Sequence, residues 1–257
     1  MSRFSLRARG SGRIRVYRRA APHQRAPITL IPLRNDIPVR RTPAVTWAII
    51  AASVVAYLWQ LSVGINLSAL IGGAIPYEVM TFRDIGPRDL VPPPLTVLTS
   101  IFLHGGLFHL LGNLLFLWVF GPNVEDVLGR MRFVGFYLAS GIAAAAAQTL
   151  LSLAQGDPLM PMVGASGAIA GVMGAYVVLF PKARVLTAVP IFVFIRFMYL
   201  PASFFIGLWF VLQMVYAFVG GSGSGVAFFA HIGGFVFGWL VTKVLVRAQV
   251  RQRGPSF

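Results

Sequence analysis

Three short clusters in this 257-residue chain hold side chains able to move a proton or attack a carbonyl. The first is Gly164-Ala165-Ser166-Gly167, at the head of the apolar run Ala165 to Phe180. Backbone N–H groups point outward at a helix N-terminus, so a serine there can pair nucleophilic attack with an oxyanion site. Small residues also let helices approach closely in a bilayer, and the motif alone admits both readings. The second cluster is His104-Gly105-Gly106-Leu107-Phe108-His109 followed by Asn113. His109 and Asn113 are i, i+4 and share one helix face. They are either interhelical polar glue or a functional pair, since buried polar groups in a membrane are expensive. The third cluster is His231 with Gly234 and Gly238.

Serine is a weak nucleophile until a base takes its proton, and histidine supplies that base at neutral pH. Gly234 and Gly238 form a Gly-x-x-x-Gly surface on the face that carries His231. Ser166, Ala170 and Gly174 form a second small-residue face. If these two faces pack, His231 meets Ser166 at a common depth. Hydrogen bonding as polar glue is the other reading of His231.

The elements that must position these residues are membrane helices. The chain is 57% hydrophobic and 11% charged, with a mean hydropathy of +0.76. Soluble chains carry about 25% charged residues. The composition is that of a polytopic all-α membrane bundle. The net charge is +15, but eleven of the 22 Lys and Arg lie in residues 1–44 and the rest cluster at span ends. The positive-inside rule accounts for that distribution, so the expected partner is the lipid bilayer and no nucleic acid. Residues 1–44 read as a basic, flexible cytosolic arm or, alternatively, a transit peptide. The arm is too long and too arginine-rich before Val45 to read as a signal peptide.

Six spans are expected: about Val45–Val63, Phe102–Phe120, Phe133–Leu153, Ala165–Phe180, Met198–Val219 and Phe228–Val246. They make up a membrane domain over residues 45–247, followed by a basic cytosolic tail, 248–257. Leu67 to Thr81 and Val185 to Phe197 read as interfacial segments. Gly220 to Gly225 reads as a flexible loop. With both termini in the cytosol, 20 of the 22 Lys and Arg fall on the inner side. Ser166 and His104 then lie toward the outer face.

No Asp or Glu falls within a span, and the chain has no cysteine. This removes an intramembrane aspartyl pair, a thiol nucleophile and a carboxylate-driven proton transporter. No His-Glu-x-x-His sequence occurs, so no zinc-protease motif is present. No metal and no cofactor is expected. Histidine, asparagine, glutamine and hydroxyls remain.

His104-x-x-x-x-His109-x-x-x-Asn113, Gly164-Ala165-Ser166-Gly167 and Ala230-His231-x-x-Gly234-x-x-x-Gly238 together resemble the rhomboid family of intramembrane serine proteases. Glu125-x-x-x-Gly129, Leu200-Pro201 and Gly207-Leu208-Trp209 resemble its bacterial members. The resemblance covers about residues 30–247. It implies six transmembrane helices in a bacterial inner membrane and hydrolysis of transmembrane protein substrates through a Ser-His dyad. Ser166 would be the nucleophile and His231 the base. His109, Asn113 and the Ser166 N–H would form the oxyanion hole. Gly164 and Gly167 would shape the serine loop, and Gly238 would support packing of the sixth span on the fourth. His104 would be structural or hold water near the mouth. The fifth span would be a lateral gate and residues 220–230 a cap. A relative without activity that binds membrane clients is the alternative, marked by loss of Ser or His; both are present. Two departures stand out. Ala170 occupies the position where some members carry a tyrosine under the histidine, so His231 must be oriented otherwise. The first loop has no tryptophan for the Trp-Arg pair that some members carry there.

Overall fold

The computed structural model describes residues 30–85, 91–191, 194–219 and 227–253. The arm up to residue 29, the glycine–serine loop at 220–225 and the last four residues of the tail lie outside the described residues. The elements run β1 (Ile31–Asn35), α1 (Ala44–Val63), α2 (Ile65–Gly72), α3 (Pro76–Thr81) and α4 (Pro93–Thr99). A 3₁₀ turn (Ser100–Phe102) precedes α5 (Leu107–Leu128) and α6 (Arg130–Gln155). Then come α7 (Ser166–Leu179), β2 (Arg184–Ile191), β3 (Phe194–Pro201), α8 (Ala202–Val219) and α9 (Phe228–Arg253). The protein is a mostly helical membrane bundle, as the composition requires.

Among the described residues, four helical stretches are long and apolar enough to cross a bilayer: Ala44–Val63, Leu107–Leu128, Arg130–Gln155 and Phe228–Ala248. Over the expected fourth and fifth spans lie two shorter described apolar stretches, Ser166–Leu179 and Ala202–Val215. Helix α7 has 14 residues, about 21 Å at 1.5 Å per residue, against a hydrocarbon core of about 30 Å. It can be short because protein surrounds it. Gly167 through Tyr176 are all buried, with α5, α6 and α9 as the main neighbours. The non-helical residues 156–165 lead to Ser166 and become buried only at Ala165.

That descending loop is tied on both sides. Ala74 and Met162 exchange backbone hydrogen bonds, N to O, at 3.0 and 2.9 Å, and Tyr77 N donates to Pro158 O at 3.0 Å. Gly164 N donates to Ser100 O at 2.9 Å. The segment Leu67 to Thr81 therefore forms two short helices that brace the loop carrying the serine.

The segment Val185 to Phe197 is extended rather than helical. It forms strands β2 and β3, which pair antiparallel from Arg184↔Pro201 to Ile191↔Phe194. The third strand, β1, pairs antiparallel with β2 from Ile31↔Ala188 to Asn35↔Val185. The apolar run is too short to span a bilayer, and β1 supplies the partner that a sequence pattern cannot show. Residues 30–44, assigned to the arm, are thus anchored. Asn35 Nδ2 donates to Asn123 Oδ1 at 2.7 Å, and Asn123 Nδ2 donates to Ile37 O at 3.0 Å. Arg184 N donates to Asp36 Oδ1 at 2.8 Å.

One carboxylate fixes α1 against α5. Glu125, on α5, accepts from Val45 N at 3.0 Å, Thr46 N at 2.7 Å and Thr46 Oγ1 at 2.7 Å. It is only 3% exposed. It satisfies first-turn N–H groups of α1 and sits at the positive end of that helix. Glu125→Ala is expected to destabilise the protein by about 2–4 kcal/mol, since buried donors lose a charged acceptor. Reversible unfolding in detergent measures this, and a loss below about 0.5 kcal/mol, the scale of a neutral surface change, would refute the role.

Candidate active site

Helix α7 begins at Ser166, with Ala165 as its N-cap residue. The turn before it requires glycine. Gly164 has φ +130°, and a Cβ there would lie 2.8 Å from His109 Nε2. The ring of His109 therefore packs on a backbone with no side chain. His109 and Asn113 lie one turn apart on α5, as their spacing predicts, and both line the cavity in front of Ser166. His109 Nδ1 accepts a long bond from Gly105 N at 3.4 Å. Asn113 is 8% exposed, and its Nδ2 is buried with no protein acceptor among the described residues.

His104 belongs to the scaffold. It is fully buried, its Nδ1 pairs with Phe102 O at 3.1 Å, and its ring meets that of His109 edge-on at 5.3 Å. Gln60 brackets its backbone: Oε1 accepts from His104 N at 2.8 Å, and Nε2 donates to His104 O at 3.1 Å. The chain just before α5 is thereby locked to α1.

The histidine that faces Ser166 comes from α9. His231 Nε2 and Ser166 Oγ are 2.7 Å apart. This contact exists because the two helices nearly touch. A Cβ on Gly234 would collide with Gly167 O, and one on Gly238 with Gly171 O. The expected small-residue face on α7, Ser166–Ala170–Gly174, is corrected by one residue at its upper end. Gly167 and Gly171 meet Gly234 and Gly238, while Gly174 meets the backbone of Phe235 and Trp239. Ser166 sits beside that seam rather than in it, which leaves its hydroxyl free to face the ring. Helix α6 closes the other side: a Cβ on Gly233 would strike Ala147, and one on Gly171 would strike Ser140.

Ala170 is fully buried, and the ring that faces His231 comes from α8. The Trp209 centroid lies 5.7 Å from that of His231 at 37°, and Phe228 meets the histidine edge-on at 6.3 Å. Gln213, also on α8, places Oε1 2.7 Å from His231 Nδ1. Neither Trp209 nor Gln213 stood out as a site residue from sequence. A lone amide in an apolar helix was the available signal, because such a group needs a partner.

These side chains line a cavity of about 650 Å³ with Phe108, Phe116, Gln148, Asp157 and Met162 also in its wall. Its size suits a short peptide segment or an organic ligand. Among the described residues no group of three or more His, Cys, Asp or Glu could hold a metal ion.

The fold is thus a membrane helix bundle with a serine and a histidine in contact beside a glycine seam. Residues 94–248 match the Rhomboid domain family, more than half of the chain, and the protein belongs to that family. It is 30% identical over 177 residues to the mitochondrial Rhomboid protein 1 of Saccharomyces cerevisiae, covering 64% of this chain and 47% of that protein. The mitochondrial presenilin-associated rhomboid-like protein of Rattus norvegicus is 33% identical over 151 residues, 57% of this chain and 37% of the relative. Rhomboid protease GluP of Bacillus subtilis is 44% identical over 79 residues, 31% of this chain and 14% of the relative. The aligned stretches thus span less than half the length of each of these relatives.

Gly234→Ala is expected to lower stability by about 1–3 kcal/mol, the scale of an overpacked interface. It should slow any reaction at Ser166 in parallel, because the same shift parts Ser166 from His231. Unfolding in detergent and labelling of Ser166 by a fluorophosphonate read the two effects, and an unchanged labelling rate would refute the coupling.

Proposed function

We propose that this protein is a serine endopeptidase that cleaves other membrane proteins in or near a transmembrane segment. The observation that carries the proposal is the 2.7 Å contact between Ser166 Oγ and His231 Nε2 on the wall of an open cavity. A chain that only held membrane clients would need neither group, and nothing in this geometry favours that alternative.

The chemistry follows from the contacts. The Ser166 hydroxyl donates to His231 Nε2, which takes the proton as Oγ attacks the substrate carbonyl. The carbonyl oxygen becomes an oxyanion. Asn113 Nδ2, buried without a protein acceptor, and the Ser166 N–H at the head of α7 are donors suited to it. His109, packed on Gly164, lines the same wall as a third. His231 then gives its proton to the leaving amine and later takes one from water to release the acyl enzyme.

The substrate must reach a serine that lies below the membrane surface, so its own helix must open. Glycine in the substrate eases that step because it holds a helix weakly. Lateral entry past α8 fits the exposure of that helix, with Phe204 56% and Val211 53% exposed. The orientation with both termini cytosolic follows from the Lys and Arg distribution. The expected bacterial cell membrane is not carried by the relatives: two are mitochondrial by name, and the bacterial one aligns over 31% of the chain. The proposal is therefore limited to an integral membrane protein in a bilayer with an anionic inner face.

The test uses purified protein with a panel of single-span membrane segments. Ser166→Ala and His231→Ala are each expected to abolish cleavage, and product surviving in either variant would sink the dyad. Asn113→Ala is expected to lower kcat by about 10²–10³, the effect of one oxyanion donor, with KM little changed. A near-wild-type kcat would remove Asn113 from that role.

A further inference from the structure

We propose that Gln213 is a positioning residue: its amide oxygen accepts the His231 Nδ1 proton and fixes the ring with Nε2 toward Ser166. The role in peptide hydrolysis rests on the serine-protease reading above; the role in activating Ser166 does not.

The geometry makes a chain of three groups across three helices. Gln213 Oε1 on α8 lies 2.7 Å from His231 Nδ1 on α9, and His231 Nε2 lies 2.7 Å from Ser166 Oγ on α7. A neutral imidazole has one N–H and one acceptor nitrogen. To take the serine proton, Nε2 must be the acceptor, so Nδ1 carries the hydrogen. That N–H needs an oxygen opposite it. The Gln213 amide has one oxygen and one NH₂, and the proton count alone assigns the oxygen to this contact.

Among the described contacts of the ring, no other supplies an acceptor. Trp209 and Phe228 bound it with aromatic surface, which limits its tilt but cannot choose a tautomer. Ala170 supplies no ring and no polar atom. Among the described residues the side-chain hydrogen-bond partners of His231 are Ser166 and Gln213. An amide in an apolar helix is costly unless paired, and this one turns into the cavity wall.

Through the reaction the Nδ1 proton stays on the ring. One proton moves from Oγ to Nε2, leaving a ring with two N–H groups and a positive charge. The Gln213 carbonyl dipole then faces that charge. A carboxylate does the same in soluble serine hydrolases. A neutral amide orients the ring without burying a fixed charge in the membrane, where a lone carboxylate is expensive.

The full-length protein in detergent is the test material. Two rates are read for wild type, Gln213→Met and Gln213→Glu: fluorophosphonate labelling of Ser166, and cleavage of a membrane segment resolved into kcat and KM. Methionine keeps the length of the side chain and removes the acceptor. It is expected to slow labelling and lower kcat by about 10- to 100-fold, less than the roughly 10²–10⁴ that a positioned base itself contributes, at unchanged KM and thermal midpoint. Glutamate restores an acceptor oxygen and is expected to bring both rates back to within about fivefold of wild type. Gln213→Asn keeps the amide but shortens it, and should behave as methionine does; it serves if the methionine variant does not fold. Labelling by Gln213→Met or Gln213→Asn within about twofold of wild type, or a loss confined to KM, overturns the role. Wild-type labelling that depends on Gln213 without any cleavage keeps the positioning role and sinks the protease reading. Cleavage indifferent to Gln213 does the reverse. Failure of wild-type Ser166 to label overturns both.

Discussion

Two side chains on different helices can share a proton only when the helix backbones come close enough for short side chains to meet. In this protein that closeness is set where Gly234 faces Gly167 and Gly238 faces Gly171. In a bilayer there is no hydrophobic drive to press helices together, because lipid tails are as apolar as leucine. Association depends on close packing and on polar contacts. The seam supplies the packing and the Ser166–His231 hydrogen bond supplies a polar contact. The contact between Ser166 and His231 and the packing of the helix pair are thus one interaction. A residue that widened the seam to gain surface elsewhere would part the dyad.

The rest of the bundle braces that pair. Helix α7 is central and short, so its N-terminal N–H groups open inside the protein rather than into the headgroups. The chain that reaches it is paired to α2–α3 through Ala74 and Met162, and to the 3₁₀ turn through Gly164 and Ser100. His104 is clamped by Gln60 and presents its ring edge to His109. Each of these contacts satisfies a backbone or side-chain polar group that lipid could not. Together they also fix the wall on which His109 and Asn113 stand.

Much of this is legible in the residues themselves. The glycine spacing on α9, the serine at the head of an apolar run and the i, i+4 pair on α5 each follow from helical geometry. The pairing of Ser166 with His231 was only one of two readings of those residues in the sequence, and the packing of α7 on α9 is what brings them into contact. The register of the α7 seam came out one residue off, since small residues at 166, 167, 170, 171 and 174 fit two overlapping faces. The strands escaped because β1 and β2 are about 150 positions apart in the chain, and periodicity carries no information about such partners. The orientation of His231 also lay beyond the sequence. Ala170 removes the ring expected from α7, and the replacement comes from a helix whose rotation about its axis no local pattern fixes. Glu125 was visible only as part of a motif; its capping of α1 requires the fold.

The sheet clamps the start of α8. Strand β3 runs directly into α8 at Pro201 and is paired along its length with β2, and Ala202 N donates to Ala183 O at 2.8 Å. Phe205 and Ile206 are buried just above, and Phe210 stacks on Phe235 at 4.4 Å. Beyond that stack, one turn further along, stands Gln213. The helix is therefore clamped at the sheet and pinned at midspan, and Gln213 stands one turn past the pin. Because its amide oxygen lies 2.7 Å from His231 Nδ1, the spacing of α8 from α9 also sets the distance from the amide to the imidazole. The width of that gap and the orientation of the ring are a single coordinate.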